Sequence, residues 1–294
     1  MNDFKLAVIG AGPAGLAAGI QLKKQGYNPV IFEGGGLGGL IRNANRIDNY
    51  PGVKPGITGL EFSEKLKEHV DEFKLNLQFE LVSELDFFGD LFSIATESGV
   101  KSFSHLFLAS GTKPCKLKKV KLIDCDHDDL FYEIVPIRNR MNEKIIIIGS
   151  GDIAFDYSLS LSKSNSVIIL NRSRRIKANK MLQAKVLNNN RIKYQPNFDI
   201  NRIKWSGTEF IITGSIDESE RKLHCNAVVA AIGREPQKDF YSSNLIVSEQ
   251  KLIESGRLYL IGDVHQGSLR QASIAAGDGV RSAMTFYMYN KDRD

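Results

Sequence analysis

The stretch from Lys5 to Glu33 constrains the fold more than any other part of the chain. It opens with the apolar run Leu6 to Ile9, which is short and continuous, as in a buried parallel strand. Gly10-Ala11-Gly12-Pro13-Ala14-Gly15 follows, then a helix-like segment to Lys24 and a second apolar run that ends at Glu33. A G-x-G-x-x-G pattern between strand and helix, with an acid about 20 residues on, is typical of a dinucleotide-binding βαβ unit.

Each residue type of the pattern has a physical reason. Gly10 allows a tight turn, Gly12 lets the backbone approach a pyrophosphate, and Gly15 lets helix and strand pack closely. The helix N-terminus offers N–H groups and the positive end of its dipole to the phosphates. Glu33 is expected to accept hydrogen bonds from ribose hydroxyls and to repel a 2′-phosphate. A glycine-rich turn without a ligand is the alternative interpretation.

The same plan recurs in the middle of the chain. Ile145 to Ile148 predicts a second buried strand, followed by Gly149-Ser150-Gly151-Asp152-Ile153-Ala154 and a helix to about Ser162. The apolar run Val167 to Leu170 then places Asn171 where Glu33 lies in the first unit. Two dinucleotide-binding domains in one chain are therefore predicted.

The two predicted sites differ in charge. After Asn171 come Arg172, Arg174, Arg175 and Lys177, so the second site lacks the repelling carboxylate and has cations where a 2′-phosphate would lie. This favours NADPH at the second site, with NADH also possible, while a solvated basic loop is the alternative. Because two dinucleotides in one enzyme are most simply a nicotinamide and a flavin, we expect hydride to pass from NADPH to FAD. Such a transfer needs no catalytic side chain and no metal.

The last section predicts how the two domains are connected. It contains a strand, Leu258 to Ile261, and a final helix from about Arg270 to Tyr289, with Ser268 and Gln271 at capping-box spacing. It has no fingerprint of its own, so we expect it to complete the sheet of the first domain. The predicted fold is α/β, with two Rossmann-like three-layer domains: residues 1–114 and 237–294 form the FAD-binding domain, and 115–236 form an inserted NAD(P)H-binding domain.

Composition excludes several other classes. The chain of 294 residues suits two domains, and Met1 to Lys5 lead straight into the first strand, so we expect no targeting peptide. No apolar run reaches the ~18 residues of a membrane span. The net charge of +5 is mild and no base-stacking module is visible, so neither a membrane nor nucleic acid is an expected partner, and a cytoplasmic location is expected. Cys115, Cys125 and Cys225 are too scattered for a disulfide framework or a zinc site.

Over nearly its whole length the chain resembles two-domain flavoprotein reductases, a family that includes low-molecular-weight thioredoxin reductases and thioredoxin-reductase-like ferredoxin–NADP reductases. The resemblance rests on both fingerprints, the glycine loop after Glu33, the Asn49-Tyr50-Pro51-Gly52 turn, Gly262-Asp263 and Arg270-Gln271-Ala272. It implies a homodimer with two sets of cofactor-binding residues. For FAD they are Gly10, Gly12, Ala14, Gly15, Glu33, Gly38, Gly39, Asn49, Ala109, Gly111, Asp263, Arg270, Gln271 and Ala272. For NADPH they are Gly149, Gly151, Asp152, Ala154, Asn171, Arg172, Arg174 and Lys177.

The chain departs from thioredoxin reductases in its redox chemistry. Their Cys-x-x-Cys falls on Tyr132-Glu133-Ile134-Val135 here, which contains no sulfur, and their glutamine after the glycine loop is Leu40. Leu130-Phe131-Tyr132 and Asp156-Tyr157 instead resemble the ferredoxin-reducing branch. One arginine of the family's basic motif is Ser173.

Three functions therefore stay open. The first candidate passes electrons to a small acidic carrier such as ferredoxin or flavodoxin, which the basic strip Lys116, Lys118, Lys119 and Lys121 could attract. The second is a thiol–disulfide reductase that acts on the cysteines of a partner, since a lone thiol such as Cys125, near His127, cannot form an internal disulfide. The third is a non-catalytic flavin-binding sensor.

Overall fold

The computed structural model describes residues 4–291, which divide into two compact units. Unit 1 consists of the chain up to Arg42, of residues 47–113 and of the chain from Glu235 onward. Unit 2 consists of residues 43–46 and 114–234. The structure differs from the predicted boundaries at 43–46, a segment expected in the first domain.

Unit 1 is built on a five-stranded parallel sheet. Its strands are β1 (Leu6–Ile9), β2 (Val30–Phe32), β3 (Asn76–Gln78), β7 (His105–Leu108) and β18 (Leu258–Leu260). Their order is β18-β7-β1-β2-β3, and every neighbouring pair is parallel. β18 therefore completes this sheet, as its lack of a fingerprint predicted.

Helices and a small second sheet complete unit 1. The helices are α1 (Pro13–Lys24), α2 (Gly59–Glu72), α5 (Ser243–Glu254) and α6 (Ala272–Asn290). An antiparallel sheet contains β4 (Glu84–Phe88), β5 (Leu91–Thr96) and β6 (Gly99–Phe103). Two short strands, β8 (Thr112–Pro114) and β17 (Arg234–Pro236), lie where the chain passes between the units.

The core of unit 1 lies on both faces of the parallel sheet. Val8 and Phe107 belong to one buried cluster, whereas Ala7 and Leu106 belong to another. Adjacent residues fall in different clusters because successive side chains of a strand point to opposite faces. Continuous apolar strands are expected where both faces are covered, which is why Leu6–Ile9 was predicted as a buried parallel strand.

Unit 2 repeats the βαβ plan. Its parallel sheet has the order β12-β11-β10-β16 and contains β10 (Lys144–Ile148), β11 (Ser166–Leu170), β12 (Ile192–Gln195) and β16 (Ala227–Ala230). Its helices are α3 (Asp152–Leu161) and α4 (Lys180–Leu187). A second sheet has the order β15-β14-β13-β9 and contains β9 (Lys121–Ile123), β13 (Asp199–Trp205), β14 (Phe210–Ile216) and β15 (Ser219–Cys225). The predicted fold of two Rossmann-like α/β units, one inserted in the other, is confirmed.

The predicted helix starts were less accurate than the predicted strands. α1 begins at Pro13, three residues before the predicted start, because proline is well suited to the first helical position. The capping box predicted at Ser268 and Gln271 was wrong, since Gln271 is the N-cap of α6 and its side chain makes no capping hydrogen bond. A capping box is instead present at α2, between Thr58 and Glu61.

Among residues 4–291, none of the helices combines the length and the apolar character that crossing a membrane requires.

Candidate functional site

The first fingerprint turn follows β1, and its backbone leaves no space for side chains at its two outer glycines. Gly10 has a φ of +103°, and a Cβ there would lie 2.3 Å from the carbonyl oxygen of Ala109. A Cβ on Gly15 would lie 1.9 Å from the carbonyl oxygen of Gly10. The N–H of Ala109 donates to the carbonyl oxygen of Ile9 over 2.8 Å, which fixes this neighbour in place. Close packing explains the glycines at both positions.

The N-terminus of α1 has the uncapped N–H groups that an anion-binding site requires. Gly12 is its N-cap, and no side chain caps the helix there. The first intrahelical hydrogen bond runs from the N–H of Leu16 to the carbonyl oxygen of Gly12 over 3.0 Å. The N–H groups of Ala14 and Gly15, which precede it in the first turn, therefore have no acceptor within the helix. Such N–H groups and the helix dipole favour a phosphate.

Glu33 lies beside the turn, and its carboxylate is bound to the backbone. One oxygen accepts from the N–H of Ala11 over 2.7 Å, and the other accepts from the N–H groups of Gly35 (2.6 Å) and Gly36 (2.8 Å). Glu33 therefore holds the fingerprint turn and the glycine loop together. The sequence predicted its position but not this second role.

The glycine loop packs onto the fingerprint turn. The N–H of Gly38 donates to the carbonyl oxygen of Ala11 over 2.8 Å. A Cβ on Gly39 would lie 3.5 Å from the Cα of Gly12, and one on Gly12 would lie 3.9 Å from the carbonyl oxygen of Gly38. Gly38 and Gly39 thus lie next to the N-terminus of α1, close to the other glycines of the candidate site.

The turn after β18 brings Asp263 to the same region. Its neighbour Gly262 lies between two helices, because a Cβ there would be 2.7 Å from the Cβ of Ala14 and 3.5 Å from the Cβ of Ala275. The buried carboxylate of Asp278 accepts from the N–H of Gly262 over 2.8 Å. It also pairs with Nε2 of His265 over 2.7 Å.

Asp278 is therefore a residue of this site that sequence reasoning did not assign. Gln266 and Arg281 also donate to its carboxylate, over 3.2 Å and 2.5 Å. Burial by itself would raise the pKa of Asp278, but the hydrogen bonds from His265, Gly262 and Arg281 outweigh it and lower the pKa. The sequence signal that could have identified Asp278 is its position as the single acid in a segment of small residues, Ala275 to Gly279.

The start of α6 carries the Arg270-Gln271-Ala272 motif. Gln271 is the N-cap, and its side-chain oxygen accepts from Nδ2 of Asn49 over 2.7 Å. Asn49 and Gln271, which lie 222 positions apart in sequence, are thus brought together. Gly111 has a φ of +66°, and its carbonyl oxygen accepts from the N–H of Gln237 over 3.1 Å.

The second fingerprint turn, in unit 2, is built in the same way as the first. Gly149 has a φ of +142°, and a Cβ there would lie 2.2 Å from the carbonyl oxygen of Ala231. α3 begins at Asp152 with Gly151 as its N-cap, again without a side-chain cap. Ala154, which replaces the third glycine, is fully buried. The repeat predicted from sequence is therefore a repeat of backbone geometry.

The basic segment after β11 folds back onto this turn. The N–H groups of Lys177 and Ala178 both donate to the carbonyl oxygen of Ser150 over 2.9 Å. Oδ1 of Asp152 accepts from the backbone N–H of Asn179 over 2.7 Å. Within this loop the cationic side chains are exposed; they belong to Arg172, Arg174, Arg175 and Lys177.

The buried side chain of Asn171 holds the basic segment in place through hydrogen bonds. It is 5% exposed, and its Nδ2 donates to the carbonyl oxygen of Arg175 (3.0 Å) and to Oη of Tyr194 (2.8 Å). Its Oδ1 accepts from the N–H of Ser173 over 3.3 Å. The structure thus shows a structural role for this amide, which the prediction of a cofactor contact at Asn171 did not include.

No thiol occupies the position expected for a redox disulfide. The N–H groups of Ile134 and Val135 donate to Oδ1 of Asn43 over 3.0 and 3.1 Å, and Nδ2 of Asn43 donates to Glu133 over 3.2 Å. Glu133 also forms an ion pair of 3.4 Å with Arg234. A docked segment, residues 43–46, therefore occupies this region of unit 2.

The cysteines do not form a redox pair. All three thiols are free. Cys225 is buried, and burial raises the pKa of its thiol to about 12, so it is protonated at neutral pH. Cys125 donates to the carbonyl oxygen of Ile203 over 3.6 Å, while Nδ1 of His127 lies 3.1 Å from Oη of Tyr132. The proximity of Cys125 and His127 in sequence does not produce a thiol–imidazole contact.

Comparisons with known proteins match nearly the whole chain. The model of the family described as "Pyridine nucleotide-disulphide oxidoreductase" matches residues 4–279. A thioredoxin reductase of Mycolicibacterium smegmatis is 24% identical, over 98% of this chain and 96% of the relative.

Solved structures show the same fold. The thioredoxin reductase of Lactococcus lactis has a TM-score of 0.84 and 23% identity, with 99% of this chain and 100% of that chain covered. A bacillithiol disulfide reductase of Staphylococcus aureus has a TM-score of 0.74 and 19% identity, with 98% and 99% covered. The predicted resemblance to thioredoxin-reductase-like flavoprotein reductases is confirmed, and the chain belongs to the pyridine nucleotide-disulphide oxidoreductase family.

Proposed function

We propose that the protein binds FAD in unit 1 and NADPH in unit 2 and transfers electrons from NADPH to an external acceptor. The observation that carries this proposal is the pair of fingerprint turns with opposite charges beside them. Both turns are closed by the carbonyl oxygen of a neighbouring strand end, but Glu33 lies beside the first and four exposed cations lie beside the second. A free ribose suits the first site and a 2′-phosphate suits the second.

The residues of unit 1 fit FAD. The turn formed by Gly10, Gly12 and Gly15 has no room for a Cβ at its two outer positions, leaves the space beside Gly12 open, and ends at the uncapped N-terminus of α1. Gly12 and the glycine loop leave backbone groups accessible to a flat ligand and its pyrophosphate. Asp263 and the N-terminus of α6 complete the set, and the positive end of that helix dipole would stabilise negative charge on a bound ring. FAD, when bound, supplies the two-electron chemistry.

In unit 2 the chain positions the nicotinamide donor. The N-terminus of α3 would receive the pyrophosphate as that of α1 would, and the loop held by Asn171 and Ser150 would offer guanidinium groups to a 2′-phosphate. Because Ser173 replaces one cation of the family motif, we expect a preference for NADPH with measurable use of NADH. The role of the protein is orientation and charge, without a catalytic acid or base.

Two acceptors fit the chain. A small acidic electron carrier such as ferredoxin or flavodoxin is supported by the exposed Lys116, Lys118, Lys119 and Lys121. A disulfide on a small partner protein such as thioredoxin is supported by the relatives named thioredoxin reductase. In the second case the disulfide gains two electrons and two protons and leaves as two thiols, both belonging to the partner.

The test is an anaerobic titration. The purified protein should show the visible spectrum of a bound flavin, and NADPH should bleach it at lower concentration than NADH does. A protein that takes up no FAD would contradict the proposal, and bound FAD that neither nucleotide bleaches would favour a non-catalytic flavin-binding sensor.

The acceptor is identified by turnover. With ferredoxin or flavodoxin, the rate should fall steeply as salt rises, because the cations are exposed to solvent and screened. With thioredoxin disulfide, the rate should survive Cys125→Ser, since no internal thiol takes part. Loss of disulfide reduction in Cys125→Ser would show that Cys125 is involved.

A further inference from the structure

Unit 2 contains a cavity of about 300 Å³ that is separate from the predicted nucleotide site. Its lining includes Glu143 and Asn226, which directly precede β10 and β16. The second fingerprint turn, at Gly149 and Ala231, follows the same two strands. Because parallel strands begin at one edge of a sheet and end at the other, the cavity lies at the opposite edge, about 15 Å from the turn for strands of this length.

Three aromatic side chains line the cavity, together with polar and charged residues. Trp205 and Phe210 lie with their ring centroids 4.7 Å apart at an angle of 54°. Phe131 provides a third ring, and the guanidinium carbon of Arg140 lies 5.3 Å from its centroid. This wall therefore already accommodates one planar cation against an aromatic face, a favourable electrostatic arrangement.

The charges of the lining are unbalanced. Arg140 pairs with Glu143 over 3.1 Å, whereas the carboxylate of Asp129 forms no salt bridge with any described residue. One oxygen of Asp129 accepts from the N–H of Asp126 over 2.7 Å. With two carboxylates and one guanidinium, the lining has a net charge of −1, which an incoming cation would neutralise.

We infer that this cavity binds a small planar organic cation, namely an amidinium, a guanidinium or a protonated aromatic amine. The aromatic faces would attract its charge, and Asp129 would accept its N–H groups. The volume lies at the lower end of the range for ligand pockets, which limits the ligand to a small molecule. The inference does not depend on the proposed redox function, because no residue of the cavity belongs to either predicted nucleotide site.

Trp205 makes the inference directly testable, since it is the only tryptophan of the chain and lines the cavity. The probe is benzamidine, titrated into the full-length protein while tryptophan emission is recorded, and benzamide is the neutral control of the same shape. We expect saturable binding of benzamidine, with benzamide at least about tenfold weaker because it lacks the charge. No saturable response to benzamidine, or equal affinity for benzamide, would overturn the inference.

Two matched variants distinguish direct contact between Asp129 and the ligand from a general effect of negative charge near the cavity. Asp129→Asn should weaken benzamidine binding about tenfold by removing the accepting charge. Asp128→Asn, at an equally exposed position of the same loop, should change it less than about twofold, because that side chain does not line the cavity. Equal losses in the two variants would overturn the inference.

NADPH provides the final control. Saturating NADPH should leave the benzamidine affinity unchanged, since the two sites lie at opposite edges of the sheet. Displacement of benzamidine by NADPH would show that the probe occupies the nucleotide site and would overturn the inference, while leaving the proposed function intact.

Discussion

The carboxylate of Asp278 is only 3% exposed and links α6 to the turn that presents Asp263. Removing its charge while keeping its shape should therefore disturb the proposed flavin site from a distance. We expect Asp278→Asn to destabilise unit 1 by about 1–3 kcal/mol and to weaken FAD binding, because buried groups lose a charged partner. Thermal unfolding and FAD titration measure the two effects.

The control for Asp278→Asn is Arg281→Gln, which removes one hydrogen-bond donor to the carboxylate. Because the side chain of Arg281 is 71% exposed, this change should lower the stability of unit 1 only slightly. The pKa of Asp278 is lowered, so its contribution is fully present at neutral pH and is lost as the pH falls through the folded-state pKa. An Asp278→Asn protein with unchanged flavin affinity would argue against a positioning role.

Glycine substitutions distinguish folding from binding at the first turn. Gly10→Ala should unfold at a markedly lower temperature, because its φ is positive and its Cβ would meet the carbonyl oxygen of Ala109. Gly12→Ala should fold normally but take up less FAD, because the nearest atom to its Cβ is 3.9 Å away and the added methyl would face the pyrophosphate. Equal melting temperatures for the two variants would contradict this assignment.

At this scale the sequence predicted backbone requirements better than side-chain contacts. Gly10 and Gly149 were predictable because their need for glycine is local and encoded in the spacing of the motif. The bonds of Glu33 to Ala11 and of Asn171 to Tyr194 join residues more than 20 positions apart. The residue pattern of a single sequence does not indicate contacts between such distant positions. The structural roles of Glu33 and Asn171 were therefore not predicted.

Among the elements, the strands and helices next to the two fingerprint turns were predicted well, whereas two helices further along the chain were missed. α6 was placed two residues early because the Ser268 and Gln271 spacing matches a capping box, yet the side chain of Gln271 contacts Asn49 instead. α4 and α5 were not predicted. Each begins after an N-cap, Asn179 or Ser242, whose side chain accepts an N–H three residues on, a signal that is common in loops as well.

α3 carries a titratable group that links pH to the stability of unit 2. Burial raises the pKa of Asp156 from 3.8 to about 6, against a hydrogen bond from the N–H of Asn45 (2.8 Å) that lowers it. Between these pKa values the folded state binds more protons than the unfolded state, so stability falls as the pH rises and the full penalty is present above pH 6. The difference corresponds to about 3 kcal/mol.

Asp156→Asn should therefore raise the melting temperature by several degrees at a pH well above 6 and change it little near pH 4. An amide can still accept the Asn45 hydrogen bond, so geometry is preserved. Asp199→Asn, an exposed change of the same kind on β13, is the control. A stabilisation independent of pH would mean that burial of the charge is not the cause.

At the scale of the whole molecule, the expected homodimer requires an exposed apolar surface. One face of α6 carries Val280, Met284, Met288 and Tyr289 along a groove of about 650 Å³, and Met284 and Met288 are 49% and 58% exposed. An exposed apolar helix face of this kind is typical of a protein–protein interface.

We expect the protein to sediment as a dimer and Met284→Asp to shift it to the monomer, because a charge would be buried in the contact. Met181→Asp, on α4 and 69% exposed, should leave the dimer intact. A wild-type monomer at micromolar concentration, or a dimer unaffected by Met284→Asp, would exclude this face as the interface.

The segment 43–46 determines whether unit 2 can be separated from the rest of the chain. Cut out as a continuous piece, residues 114–234 would lack Asn43 and Asn45, which leaves the N–H groups of Ile134 and Val135 and the carboxylate of Asp156 without these partners. Unit 2 is therefore incomplete when it is cut from the chain as one continuous piece. A graft into another reductase, or an isolated fragment for crystallisation, needs this tetrapeptide supplied as well, fused through a linker or as a peptide in trans.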